Sequence, residues 1–67
     1  MRPNTEYIKK LQEARGWSNG QLALKMGVSR ATVGRVLSEK RGGGKTVIAG
    51  IIRAFPKEPL NKLFIIE

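Results

Sequence analysis

The side chains able to do chemistry in this sequence are almost all cations. Among 67 residues, thirteen are Lys or Arg, five are Glu, and none is His, Asp or Cys. Metal sites and general acid–base catalysis need imidazole, thiolate or converging carboxylate groups, so we expect no enzyme activity, metal site or cofactor site. What remains is the chemistry of guanidinium and ammonium groups, which donate hydrogen bonds and attract anions.

The positive charge is concentrated in the first two-thirds of the chain. Up to Lys45 there are ten basic and three acidic residues, whereas from Thr46 onward there are three basic and two acidic ones. Such a distribution favours a polyanionic partner. No run of about 18 apolar residues is present to span a membrane, and no signal-peptide core opens the chain. We therefore expect a cytoplasmic protein without membrane contact.

Short helices must position these cations. Apolar residues recur at helical spacing, which predicts helices near residues 5–15, 18–26, 29–38 and 46–55. The expected fold is all-α, with four to five helices in a single domain over residues 1–67. The predicted core consists of Leu11, Leu22, Met26, Val33, Val36, Ile48, Ile51 and Ile52.

The second and third helices have the clearest start signals. Ser18 stands three residues before Gln21, as in a capping box, and Ser29 can cap the third helix. Gly27 lies between the two helices, where a left-handed residue makes a tight turn. Two short capped helices joined in this way predict a helix-turn-helix. Trp17, which could stack on a base, fits better as an apolar residue packed on the core.

Residues 21–36, QLALKMGVSRATVGRV, carry a resemblance to a known family. Their spacing and residue types resemble the LA-x-x-x-G-V-S-x-x-T-[VI] core of the phage repressor and Cro family, also called the XRE-type helix-turn-helix family. The resemblance extends over about residues 6 to 55, four of that family's usual five helices. It implies a lambda-repressor-like fold and a transcriptional regulator that binds double-stranded DNA, with a phage or mobile element as its source.

The sequence departs from the family pattern at two places. Relatives often join the first helix to the end of the third by an arginine–glutamate pair, whereas Gln12 and Leu37 occupy those positions here. We interpret this change as an apolar replacement of the ion pair, which need not destabilise the fold. The second departure is the Gly42-Gly43-Gly44 loop, because many relatives have a shorter turn there.

By the same resemblance, the third helix enters the major groove. Arg30 and Arg35 are then candidates for bidentate hydrogen bonds to guanine, although each could instead be solvated or touch only phosphate. Ala31 can pack on a thymine methyl group, and Thr32 can contact a base or a phosphate. Gly34 either permits close approach to DNA or is merely tolerated in a marginal helix. The DNA-binding candidates are Asn19, Ser29, Arg30, Ala31, Thr32, Gly34, Arg35, Lys40, Arg41 and Lys45.

Backbone contacts are expected around this helix. Asn19 stands at the start of the second helix, where relatives typically contact a phosphate. Lys40, Arg41 and Lys45 are expected to bind the flanking DNA backbone without reading its sequence, unless the loop is simply solvated.

Three functions are compatible with these residues. The leading one is a homodimeric, sequence-specific regulator that represses by operator occlusion, because 67 residues leave no room for an effector domain. The second is a protein-interaction module, such as an antirepressor or a modulator of another regulator. The third is non-specific nucleoid binding. The basic face at Arg30 and Arg35 favours sequence-specific DNA binding.

The end of the chain is apolar. Leu60, Leu63 and Phe64 fit one face of a short helix, while residues 64–66 fit a strand equally well. Chain termini are usually polar unless they are held in place, so we expect this tail to form a dimer interface. The alternative is a tail folded onto its own monomer.

Overall fold

The computed structural model describes residues 2–38 and 44–66. Across them the elements are β1 (Arg2–Pro3), α1 (Thr5–Ala14), α2 (Asn19–Met26), α3 (Arg30–Ser38), α4 (Lys45–Ala54), α5 (Leu60–Leu63) and β2 (Phe64–Ile65). The predicted helical architecture is confirmed, and α1 to α4 begin and end within one residue of their expected bounds. None of the helices in the described segments is long and apolar enough to cross a membrane.

Local hydrogen bonds begin and end α2 as predicted. Ser18 Oγ accepts from the Gln21 N–H at 3.2 Å, and Gln21 Oε1 accepts from the Ser18 N–H at 2.9 Å, which completes the capping box. Gly27 has a φ of 74°, and the N–H groups of Gly27 and Val28 both donate to the Ala23 carbonyl. Because glycine adopts this left-handed conformation without strain, the chain turns sharply into α3.

The core lies between α2, α3 and α4, with α1 against one side. Leu11 and Ile48 are half-buried and pack against it. Ile52, however, is 40% exposed, so its assignment to the core was wrong. It lies about 100° around α4 from Ile51, which is fully buried. The predicted core residues that the structure buries are Leu22, Met26, Val33, Val36 and Ile51.

The crossing of α4 over the end of α2 depends on a glycine. A Cβ atom built on Gly50 would lie 2.8 Å from the Met26 carbonyl oxygen and 3.1 Å from Met26 Cβ. The first of these distances is shorter than van der Waals contact allows, and the backbone of α2 has little freedom to withdraw. Gly50 therefore allows the two helices to approach each other closely.

The two ends of the described chain are joined by an antiparallel ribbon. Arg2 pairs with Ile65, and Pro3 pairs with Phe64. The Asn4 N–H extends this pairing by donating to the Leu63 carbonyl at 2.8 Å. The apolar tail is thus a single helical turn followed by a strand, and the strand pairs within its own chain.

Most of the tail's large side chains are accounted for in the monomer. Leu63 is 0% exposed and Phe64 is 2% exposed, so both belong to the core. Leu60 and Ile66 remain 56% and 73% exposed. The buried apolar residues outside the predicted set are Ile8, Ala23, Val47, Ala54, Phe55, Leu63 and Phe64.

Trp17 packs against the core, as predicted, and is half-buried. Its ring stacks on Phe55 with centroids 5.6 Å apart, while the Arg15 guanidinium lies 5.4 Å from the Trp17 ring centroid. Glu58 pairs with Arg15 at 3.5 Å and accepts a hydrogen bond from the Tyr7 hydroxyl. That hydrogen bond raises the pKa of Tyr7 above its ordinary value, with a smaller contribution from burial. The cluster ties α1 to the segment after α4.

Candidate nucleic-acid interface

The first turn of α3 is fixed by its own hydroxyl groups. Ser29 Oγ accepts from the Thr32 N–H at 3.1 Å and lies 2.8 Å from Thr32 Oγ1. This is the predicted side-chain cap. Because the two hydroxyls are paired with each other, Thr32 is held in place, half-buried, at the edge of the helix surface.

The outer face of α3 is polar and open. Val33 and Val36 hold the helix in the core, whereas Arg30, Ala31 and Arg35 are exposed to solvent. The residues that pack α3 into the protein therefore lie on one face of the helix, and the residues that could contact a partner lie on another. The two exposed arginines each present a planar guanidinium group with five N–H donors.

Gly34 lies on this outer face and has no packing role there. A Cβ atom built on it would meet nothing within 4 Å, in contrast to Gly50. Glycine in a helix interior costs roughly 1 kcal/mol relative to alanine. The protein's own packing does not explain why this position of α3 lacks a side chain.

Arg30 also lies beside the start of α2. A Cβ atom built on Gly20 would be 4.0 Å from Arg30 Cδ, so the arginine side chain reaches the first turn of α2. The N-terminal end of a helix has unpaired N–H groups and a partial positive charge. The starts of α2 and α3 thus form one electropositive surface.

A cleft of about 580 Å³ separates α1 from the start of α2 and the second half of α3. It brings together Asn19 and Gly34 of the predicted site, and its lining does not include Arg30 or Arg35. Lys9 of α1 lines it too, although sequence analysis had not selected this residue. The i, i+4 spacing of Lys9 and Glu13 indicates an exposed helix face but not which neighbour that face adjoins. The lining residues are Lys9, Gln12, Glu13, Trp17, Asn19, Gly34, Leu37 and Ser38.

Gln12 corrects one prediction. We interpreted Gln12 and Leu37 as an apolar replacement of the family's ion pair, but only Leu37 packs against the core as an apolar residue. Gln12 is 9% exposed, and its Nε2 donates to Asn19 Oδ1 at 2.8 Å. A polar link between α1 and α2 is present instead, because a buried amide must satisfy its donors.

The remaining basic candidates lie around α4. Lys45 is the first residue of that helix and is exposed, and the first turn has no acidic residue to offset its charge. This end of α4 therefore attracts anions. Lys40 and Arg41 lie outside the described residues.

Comparison with known proteins agrees with this geometry. The sequence model of a helix-turn-helix family matches residues 3–60, a region that includes the capped pair α2 and α3 with its exposed arginine face. Comparisons with curated proteins and with solved structures gave no match. The chain belongs to the XRE-type helix-turn-helix family, the lambda repressor and Cro-like DNA-binding transcription regulators.

Proposed function

We propose that this regulator binds a specific double-stranded DNA sequence as a homodimer and represses transcription by occlusion. The observation that carries the proposal is the outer face of α3, where Arg30, Ala31 and Arg35 are exposed while Val33 and Val36 anchor the helix. An α-helix fits the major groove of B-DNA, where each base pair presents a distinct pattern of donors and acceptors. Occlusion requires only that the bound protein cover DNA that polymerase would occupy.

The outer face of α3 supplies the base contacts in this proposal. Arg30 and Arg35 donate to guanine O6 and N7, and Ala31 packs on a thymine methyl group. Thr32, at the edge of the face, contacts a base or the adjacent phosphate. Gly34 lets the helix backbone approach the bases closely.

The surrounding residues position the protein on the DNA backbone. Asn19 contacts a phosphate at the start of α2, and Ser29 does so at the start of α3. Lys40, Arg41 and Lys45 bind flanking phosphates by charge, without reading sequence.

Gly34→Ala separates the proposed role of this residue from a packing role. We expect the variant to be more stable by about 0.5–1 kcal/mol, because alanine favours the helix and its methyl group meets no protein atom. If α3 approaches the bases at this residue, the added methyl group should weaken DNA binding by about 1–3 kcal/mol. Urea denaturation and fluorescence anisotropy with a bound duplex measure the two effects.

Gly50→Ala is the matched control, since it makes the same substitution inside another helix. Its methyl group would lie against the Met26 carbonyl, so we expect lower stability and unchanged DNA affinity in the folded protein. A Gly34→Ala variant with unchanged DNA affinity would show that α3 does not approach DNA closely at this position.

A homodimer is supported by the apolar residues that the tail leaves exposed, Leu60 and Ile66. A dimer would supply the two α3 helices, about 34 Å apart, that a palindromic site requires. We expect dimers at high micromolar concentration by sedimentation equilibrium, and weaker dimers for Leu60→Ser and Ile66→Ser. Leu24→Ser is the control, because Leu24 is 82% exposed on α2. A wild-type protein that stays monomeric with and without DNA contradicts the dimer.

The proposed function is tested by selection from random duplex DNA followed by gel-shift titration. We expect enrichment of a pseudo-palindromic site that binds about a thousandfold or more tighter than random DNA. Binding without sequence preference would support a nucleoid role instead. An absence of DNA binding at low salt would leave the protein-interaction module as the better reading of the fold.

A further inference from the structure

Gln12 is a polar side chain in an otherwise apolar core. Among residues 2–38 and 44–66 it is the one polar or charged residue that is buried, at 9% exposed. Its backbone is fixed as well, because its carbonyl accepts the Trp17 N–H at 2.9 Å where α1 ends. Burial and this backbone bond fix the place from which the Gln12 side chain reaches its partner.

The group that Gln12 binds is the side-chain amide of Asn19. Gln12 Nε2 donates to Asn19 Oδ1 at 2.8 Å, across the junction of α1 and α2. An asparagine amide has one accepting end and one donating end, so engaging Oδ1 leaves both Nδ2 hydrogens at the other end. Asn19 lines the cleft between α1 and α3, and no hydrogen bond within the described part of the chain uses its Nδ2.

We infer that Gln12 is a positioning residue that sets the orientation of the Asn19 amide, so that its donors face a DNA phosphate. The inference rests on the phosphate contact proposed above for Asn19. A phosphate oxygen only accepts hydrogen bonds, so an Asn19 amide turned by 180° would present its carbonyl oxygen and be repelled. While Gln12 donates through Nε2, as it does here, a turned Asn19 amide would place one donor against another, so this pairing disfavours the turned orientation without any contact between Gln12 and DNA.

Two substitutions of Gln12 act on the amide differently. Gln12→Met keeps the length of the side chain but removes the donor, which frees Asn19 to rotate. Gln12→Glu, assayed at about pH 8 so that the carboxyl group is ionised, replaces the donor with an acceptor. The carboxylate should therefore turn the Asn19 amide, with its N–H groups inward and its oxygen toward the phosphate.

The experiment is a double-mutant cycle that combines each Gln12 variant with Asn19→Ala. Affinity is measured by fluorescence anisotropy for the selected site and for random duplex DNA, and stability is measured by urea denaturation. We expect Gln12→Met to weaken binding roughly threefold to tenfold and Gln12→Glu to weaken it more. The loss should be equal on both DNAs, since a phosphate contact carries no sequence information.

The Asn19→Ala background provides the decisive control. There, Gln12→Met should have no further effect on affinity, and Gln12→Glu should retain only the repulsion between its charge and DNA. Equal losses with and without Asn19, or an Asn19→Ala variant that binds DNA as well as wild type, would overturn the inference. Wild-type protein that binds no DNA would instead refute the proposed function, so the two failures are distinguishable.

Discussion

Val33→Asp is expected to leave the chain unfolded at 25 °C. Val33 is 1% exposed, on the inner face of α3. An aspartate there has no cation to pair with among the apolar residues of the core, so burying its charge costs several kcal/mol. That is about the whole free energy of unfolding of a domain this small. Far-ultraviolet circular dichroism and a thermal melt should show loss of helix and no cooperative transition.

The same substitution two residues earlier provides the control. Ala31 is exposed on α3, and an aspartate in the first turn of a helix interacts favourably with the helix dipole. Ala31→Asp should therefore keep the fold and melt within a few degrees of wild type, whatever its effect on DNA binding. A near-native melting temperature for Val33→Asp would show that the assigned inner face of α3 is wrong.

Features that depend on neighbouring residues were predictable from sequence. The capping box of Ser18 and Gln21, the turn at the left-handed Gly27 and the cap at Ser29 each involve residues no more than five positions apart. Short-range hydrogen bonds of this kind are encoded by residue type and spacing alone. These hydrogen bonds determine where α2 and α3 begin. Together with the helical spacing of the apolar residues, they determine which face of α3 is exposed to solvent.

Features that depend on distant residues were not predictable in the same way. The pairing of Arg2 with Ile65 joins opposite ends of the described chain, and no local signal announces it. On α4, Ile51 and Ile52 are both apolar, but only Ile51 is buried, and helical periodicity could not show which of them the neighbouring helices would cover. The link from Gln12 to Asn19 is tertiary too, because it depends on how α1 meets α2.

This difference explains why the candidate site divides into two parts. The face of α3 follows from one helix and its register, so its exposed residues could be named from sequence. The cleft that holds Asn19 is assembled from α1, α2 and α3, so the places of Lys9 and Gln12 beside Asn19 could be seen only in the folded chain. Residues that line a cleft between three helices are for this reason harder to predict than the exposed residues of a single helix.

Arg30→Ala and Arg35→Ala are expected to have the largest effects on DNA recognition. Each removes a guanidinium group that is exposed on α3 and proposed to bind guanine. Loss of one bidentate contact should weaken specific binding by about 1–3 kcal/mol, or roughly 5- to 140-fold. It should also relax the preference at one base position per half-site. Repeating the selection and the gel-shift titration with each variant measures both effects.

Lys45→Ala is the matched control, because it removes one exposed cation from α4 and leaves α3 intact. A phosphate contact contributes equally on every sequence, so its loss should weaken specific and random DNA alike. It should also reduce the slope of log K against log salt concentration by about one unit. Arginine variants that behaved in this same way, with equal losses on both DNAs and an unaltered selected motif, would show that Arg30 and Arg35 contact the backbone. Recognition of the DNA sequence would then have to depend on DNA shape or on other residues of α3.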